Sequence, residues 1–267
     1  MIKDLYQLYN IDFFYIRMKL GIIIQARMGS DRLPGKTLNK IDSHNTILDY
    51  VINQIKHSKY SENTIVATTQ NFEDDKIIEE LQDSSVETFR GSSQDVLDRY
   101  YQCAKYFSLD HIVRITADNP LIDPEILDMV IQKYFDEKPD YASNALVRTF
   151  PYGTEIEIFN FETLKKIWND AERSSEREHV TVYIKHNPKK FKILDILNDQ
   201  NLSHLRWTVD RENDLKLIRL IVEKINNRPI LLNHILELFE NEPELKKINM
   251  GNMSDEGYFK SIKNEKE

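Results

Sequence analysis

A continuous apolar run at 22–24, bounded by turn-forming residues, has the pattern of a strand buried on both faces. From Thr46 onward Ile47, Leu48, Val51, Ile52 and Ile55 recur at helical spacing. Residues 64–68 predict a second strand, and 74–81 a charged helix whose apolar positions are Ile77, Ile78 and Leu81. A short strand at 86–89 leads into a turn and a helix reaching about Phe107. Residues 111–116 alternate as a strand does. Asp123 then stands as a cap before Pro124, whose φ is pre-set for the first helical position, and that helix runs to about Phe135. Strands alternating with helices predict an α/β fold, a mostly parallel sheet covered on both faces. Ligands of such sheets sit at the carboxyl ends of the strands.

After about Pro139 the pattern loosens. Residues 152–159 read as a strand with alternate acidic positions, 161–168 as a helix, and 176–184 as helical or mixed. Short strands are expected at 191–194 and 204–210, a long helix at 214–225 and another at 231–239. No internal repeat or Pro/Gly-rich linker interrupts the chain, so a single domain is expected over 19–250. Residues 1–18 are expected to form an N-terminal extension. Asp4 and Asp12 break any apolar core there, so it does not read as a secretory signal, and Met18 is a candidate start. The stretch 251–267 reads as a charged, loosely held tail.

Composition narrows the function. The formal net charge is −8, which argues against a nucleic-acid partner, because such affinity rests on many Lys and Arg contacts to phosphates. The single cysteine, Cys103, excludes an intramolecular disulfide and fits a reducing, cytoplasmic setting. In a helical stretch beside Ala104 it reads as a packing residue. No segment approaches the roughly eighteen apolar residues that span a membrane.

Against that acidic background, 25–36 stands out. Directly after the first strand it carries Gly29, Gly35 and Pro34 with three cations, Arg27, Arg32 and Lys36. Glycine lets a backbone approach a ligand closely, and successive N–H groups in such a loop can face an anion. Arginine supplies a planar fork for phosphate oxygens and lysine a point charge. The P-loop pattern almost fits, but five residues separate the glycines where four are required, and 38–45 reads as extended and turn rather than helix. The bland alternative is a tight basic turn with solvated arginines. Asp118 and Asp210 each end an apparent strand, and two such carboxylates can hold one Mg²⁺ together with phosphate oxygens and waters. Each is also a natural cap or turn residue.

The form Ile-Ile-Gln-Ala-Arg-Met-Gly-Ser-x-Arg-Leu-Pro-Gly-Lys at 23–36 resembles the signature of cytidylyltransferases that activate sugars and sugar acids, and within them the spore-coat polysaccharide biosynthesis F type. Residues 113–125 resemble that family's metal-aspartate segment, with Asn119 where cysteine is usual. Residues 90–100 are similar to the segment beside the nucleotide, and 177–181 match a further recurring segment. Arg206-Trp-Thr-Val-Asp210 resembles the second metal aspartate, although Arg-Glu-Asn-Asp follows where Thr-Pro-Glu-Asp is usual. The resemblance implies a single-domain, Rossmann-like sheet of the nucleotide-diphospho-sugar transferase type and Mg²⁺-dependent transfer of CMP from CTP to a small acceptor, with pyrophosphate released. It implies that Gln25, Ala26, Arg27, Gly29, Ser30, Arg32, Gly35, Lys36, Gly91, Asp95 and Arg114 hold the nucleotide. Arg27, Lys36, Asp118 and Asp210 carry catalysis, with Asp118 and Asp210 on the metal. Arg148, Glu155, Glu157, Arg177 and His179 are available to the acceptor, with His179 either a contact or base, or simply a helix histidine satisfied by a carboxylate. A homodimer is implied. A glycosyltransferase of related fold and a non-catalytic nucleotide-binding protein are the alternatives; the former usually carries an Asp-x-Asp motif.

Overall fold

The computed structural model describes residues 18–30, 32–252, 256, 258 and 261–263. Of the N-terminal extension expected over 1–18, residues 1–17 lie outside them. Strand β1 (Leu20–Gln25) is the axis of the sheet. Ile22, Ile23 and Ile24 are fully buried, alternately toward the two faces, and each contributes about 1.5–3 kcal/mol through burial. β2 (Thr64–Thr69) and β4 (His111–Thr116) flank it in parallel, and β3 (Glu87–Gly91) extends the sheet beyond β2. On the other side β6 (Glu157–Asn160) runs antiparallel between β4 and β5 (Tyr141–Ser143), and β7 (Ile193–Asp195) closes the edge parallel to β5. The order is β3-β2-β1-β4-β6-β5-β7, a mostly parallel seven-stranded sheet.

Helices cover both faces. α1 (Ile47–Ile55) starts at a Thr46–Asp49 capping box. α2 (Asp75–Glu80) follows β2, and α3 (Val96–Tyr106) is capped by Asp95. α4 (Pro124–Glu137) starts as its sequence predicts, with Asp123 accepting from Glu125 and Ile126 N–H groups. α5 (Phe161–Asp170) follows β6. α6 (Ser174–Glu178) and α7 (Val182–His186) replace the one mixed helix expected at 176–184. Between them buried Val180 sits at φ +48, a conformation that strains a β-branched residue. α8 (Glu212–Lys224) and α9 (Leu232–Asn241) pack around Trp207.

Two expected strands are corrected. Of the expected 152–159 strand only 157–159 joins the sheet, within β6. Upstream, the Asn144 side chain takes the Ile156 N–H and donates to Thr154 O, while the Asn144 backbone N–H donates to Ile156 O at 3.4 Å, so side-chain bonds take over most of the ladder's work. Residues 204–210 are extended but make a single bridge, Tyr152 to Arg206. Gly153, at φ +100, lies so close to this segment that a Cβ would meet Thr208 N at 2.5 Å. That close approach carries the segment past the end of β4. The three-residue β5 was not anticipated.

Candidate active site

The loop after β1 is fastened at three points. The Ala26 N–H still donates to Ala67 of β2 at 3.2 Å. Met28 N–H donates to Asp74 Oδ1 at 2.6 Å, and fully buried Asp74 also receives the Thr69 hydroxyl. At the far end Gly35, at φ +69, donates to Met28 O at 3.1 Å, and the Thr37 hydroxyl donates to Arg27 O at 2.7 Å. A side chain at position 35 would be strained. Arg27 and Gly29 are exposed, and Ser30 half-buried.

The fastened loop drives Lys36 back into the carboxyl edge of the sheet. Its ammonium donates to Asp118 Oδ2 at 2.8 Å, to Asp210 Oδ1 at 2.8 Å and to Val209 O at 2.9 Å. Asp118 follows β4. Asp210 is brought opposite because Val209 N–H and the Thr208 hydroxyl donate to Asp118 O, at 2.8 and 3.2 Å. Arg32 reaches Asp210 Oδ1 at 2.8 Å from the loop, and Arg206 takes Oδ2 at 2.7 Å. Below them Asp214, fully buried, accepts the N–H groups of Asp210 and Arg211, each at 3.0 Å, and the amides of Asn249 and Asn252.

Burial alone would lower the pKa of Lys36, but Asp118 and Asp210 outweigh it and raise it. Burial likewise opposes ionisation of Asp210, yet Lys36, Arg32 and Arg206 hold it well below the usual carboxylate range. Lys36 and Asp210 are thus ionised throughout the neutral range. Both carboxylates converge on one cationic centre and both are hard oxygen donors, so they fit a divalent cation that also takes phosphate oxygens. Among the described residues no group of three or more His, Cys, Asp or Glu comes together to hold a metal.

The other predicted residues fall elsewhere. Gln25 Oε1 receives Arg114 at 3.3 Å, and Arg114 also binds Glu157. Glu157 is buried and further accepts the Tyr141 and Thr181 hydroxyls, both at 2.5 Å. Gly91 packs its backbone against Arg99. Asp95 caps α3 with one oxygen and receives Arg177 Nε with the other at 2.8 Å, while Arg177 also donates to Trp168 O at 2.6 Å. Arg148 pairs with Glu155 and lies over the Tyr152 ring at 3.6 Å. Glu155 also receives Asn119 at 3.0 Å. His179 Nε2 meets Ser261 Oγ at 3.0 Å. Burial lowers the His179 pKa, Glu178 opposes this, and Arg114, Lys185 and Arg27 lower it further.

Sequence reasoning missed Arg206 and Asp214, although they sit four residues either side of Asp210. It also missed Arg211 and Glu256, which pair at 2.9 Å across a long separation that leaves no local signal.

The fold is one seen in solved nucleotidyltransferases. A cytidylyltransferase from Leptospira borgpetersenii superposes with a TM-score of 0.84 at 34% identity, over 89% of this chain and 99% of that one. An uncharacterised protein of Methanocaldococcus jannaschii is 37% identical over 234 residues, 87% of this chain and 95% of its own length. The spore coat polysaccharide biosynthesis protein SpsF of Bacillus subtilis is 32% identical over 83% of this chain and 94% of its own. Residues 21–250 match the family model described as cytidylyltransferase, and the chain belongs to that family of nucleotidyltransferase enzymes. Among the described residues no helix is long and apolar enough to cross a membrane.

Proposed function

We propose that this enzyme transfers CMP from CTP to a sugar, sugar acid or small phosphorylated or acidic acceptor, releasing pyrophosphate, in glycan or surface-polysaccharide synthesis. The observation that carries the reading is the Lys36 ammonium held between Asp118 and Asp210 beneath a fastened glycine-and-cation loop. Family membership supports the cytosine base, and the Bacillus relative's place in spore coat polysaccharide biosynthesis supports the polymer context.

In this reading Arg27, Arg32, Lys36 and the loop N–H groups around Gly29 and Ser30 bind the β- and γ-phosphates, with Gly35 making the turn that brings Lys36 to them. Gln25, Ala26, Gly91, Asp95 and Arg114 shape the nucleotide side. Asp118 and Asp210 are the residues that would hold Mg²⁺, which when bound neutralises charge on the phosphate oxygens. An acceptor oxygen forms a bond to the α-phosphorus as the bond to the β-phosphate oxygen breaks. The chain's own contribution is position and charge: it holds the donor in line and receives the negative charge that moves onto pyrophosphate.

A pyrophosphate-release assay with CTP over a panel of sugar acids, sugar phosphates and polyol phosphates tests this. CTP-dependent release with one acceptor class is expected. Release of nucleoside diphosphate from a nucleotide-sugar donor, with CTP inert over the panel, would contradict it.

A further inference from the structure

The Arg32 guanidinium is shared. One nitrogen serves Asp210, and the other donates to Glu256 Oε2 at 2.8 Å. Arg211, the residue after Asp210, closes on the same carboxylate, with its NH2 nitrogen 2.9 and 3.0 Å from the two oxygens. Two guanidinium groups from separate parts of the chain thus clasp one carboxylate at the border of the Lys36 cluster. That is the donor geometry a phosphate would receive. The side chains of Arg32, Glu256 and Arg211 are 31%, 32% and 44% exposed, so the occupant can exchange. Further along, the Tyr258 hydroxyl meets His186 Nε2 at 3.2 Å, and Ser261 Oγ donates to Glu178 at 2.6 Å. The family match ends at residue 250, before Glu256.

We propose that Arg32 and Arg211 form an anion subsite for the terminal phosphoryl group of a polyphosphate, and that the Glu256 carboxylate is its built-in occupant, displaced when that phosphate arrives. Only the source of the phosphate rests on the reaction proposed above. The test is calorimetric titration of the full chain with inorganic pyrophosphate and, separately, with CTP. Wild type is compared with Glu256→Gln, Arg211→Gln and the double variant, each with a thermal melt matching wild type. Glu256→Gln should bind pyrophosphate roughly two- to fivefold tighter, the range of an exposed ion pair removed as competitor. Arg211→Gln should bind about tenfold weaker, as for loss of a charged hydrogen bond. In the double variant the gain from Glu256→Gln should shrink. The same gain with CTP assigns the subsite to the nucleotide's terminal phosphate; a gain with pyrophosphate alone assigns it to the released product. Unchanged or weaker binding in Glu256→Gln, or no loss in Arg211→Gln, overturns the subsite. If the shifts appear while CTP turnover fails over the acceptor panel, the subsite stands and the reaction falls. If turnover holds without the shifts, the subsite alone falls.

Discussion

The loop side and the 144–181 side of the molecule both carry ion pairs and use their charges in opposite ways. On the loop side Lys36 serves two carboxylates and Asp210 serves three cations, and the Asp118 side chain is 27% exposed. On the other side charges close into pairs: Arg114 with Glu157, Arg148 with Glu155, Arg177 with Asp95. The Glu157 side chain is only 6% exposed. Charges with shared partners and open faces can trade a neighbour for a ligand. Charges closed in pairs hold the frame, and removing one strands the other.

Substitution should separate the two. Asp210→Asn should cut pyrophosphate release by roughly a hundred- to a thousandfold, the scale for losing one preorganised electrostatic group at a reacting phosphate. Its melting temperature should fall less than that of Glu157→Gln, because Lys36 keeps Asp118, Arg32 keeps Glu256 and Arg206 keeps Asp214. A loss under tenfold would erase the distinction. Glu157→Gln should do the reverse: leaving Arg114 buried and uncompensated costs about 3 kcal/mol of folding stability by urea denaturation. Turnover of the folded fraction should stay within about tenfold, since the acid reaches the nucleotide side only through Arg114 and Gln25.

Acid should expose the same pair. Burial pushes the Glu157 carboxyl up, but Arg114 and Lys185 outweigh it and hold it at about 2. Its folded value lies below its unfolded one, near 4.3. Its stabilisation is therefore complete above the unfolded value and is lost as pH falls through the folded value. Between about pH 5 and 2 the wild type should lose more stability to urea than Glu157→Gln does. Arg177→Met should cost about 1 kcal/mol, since Asp95 keeps its helix cap, and should leave the acceptor KM within about twofold. Smallest of all, Cys103 is fully buried and its thiol is pushed up to about 12 by burial. Native protein should resist a thiol reagent that reacts at once after unfolding.

What was legible in the chain follows the same divide. Lys36 and Asp118 could be read because each lies in a segment that follows a strand of the parallel sheet, Asp118 just past β4 and Lys36 at the far end of the loop after β1, where a short motif marks the placement. Asp210 was found by the same logic applied to a segment that is extended but outside the ladder. The inward charges were illegible: Arg114 and Glu157, or Asp95 and Arg177, meet only through the sheet and helix packing, with no local signature of a partner. The break between α6 and α7 was hidden too. Val180 favours neither positive φ nor a turn, and tertiary bonds such as Thr181 to Glu157 accompany it there. β5 is too short for alternation to show.

The measurement that bears most directly on the central claim is the thermal shift of wild type and Asp118→Ala with CTP, UTP, GTP and ATP, each with and without Mg²⁺. A nucleotide at about a hundred times its dissociation constant adds about 2.7 kcal/mol, enough to see. Selective stabilisation by CTP with Mg²⁺, lost in Asp118→Ala, is the predicted result. Equal stabilisation of both proteins, or none by any nucleotide, would contradict it.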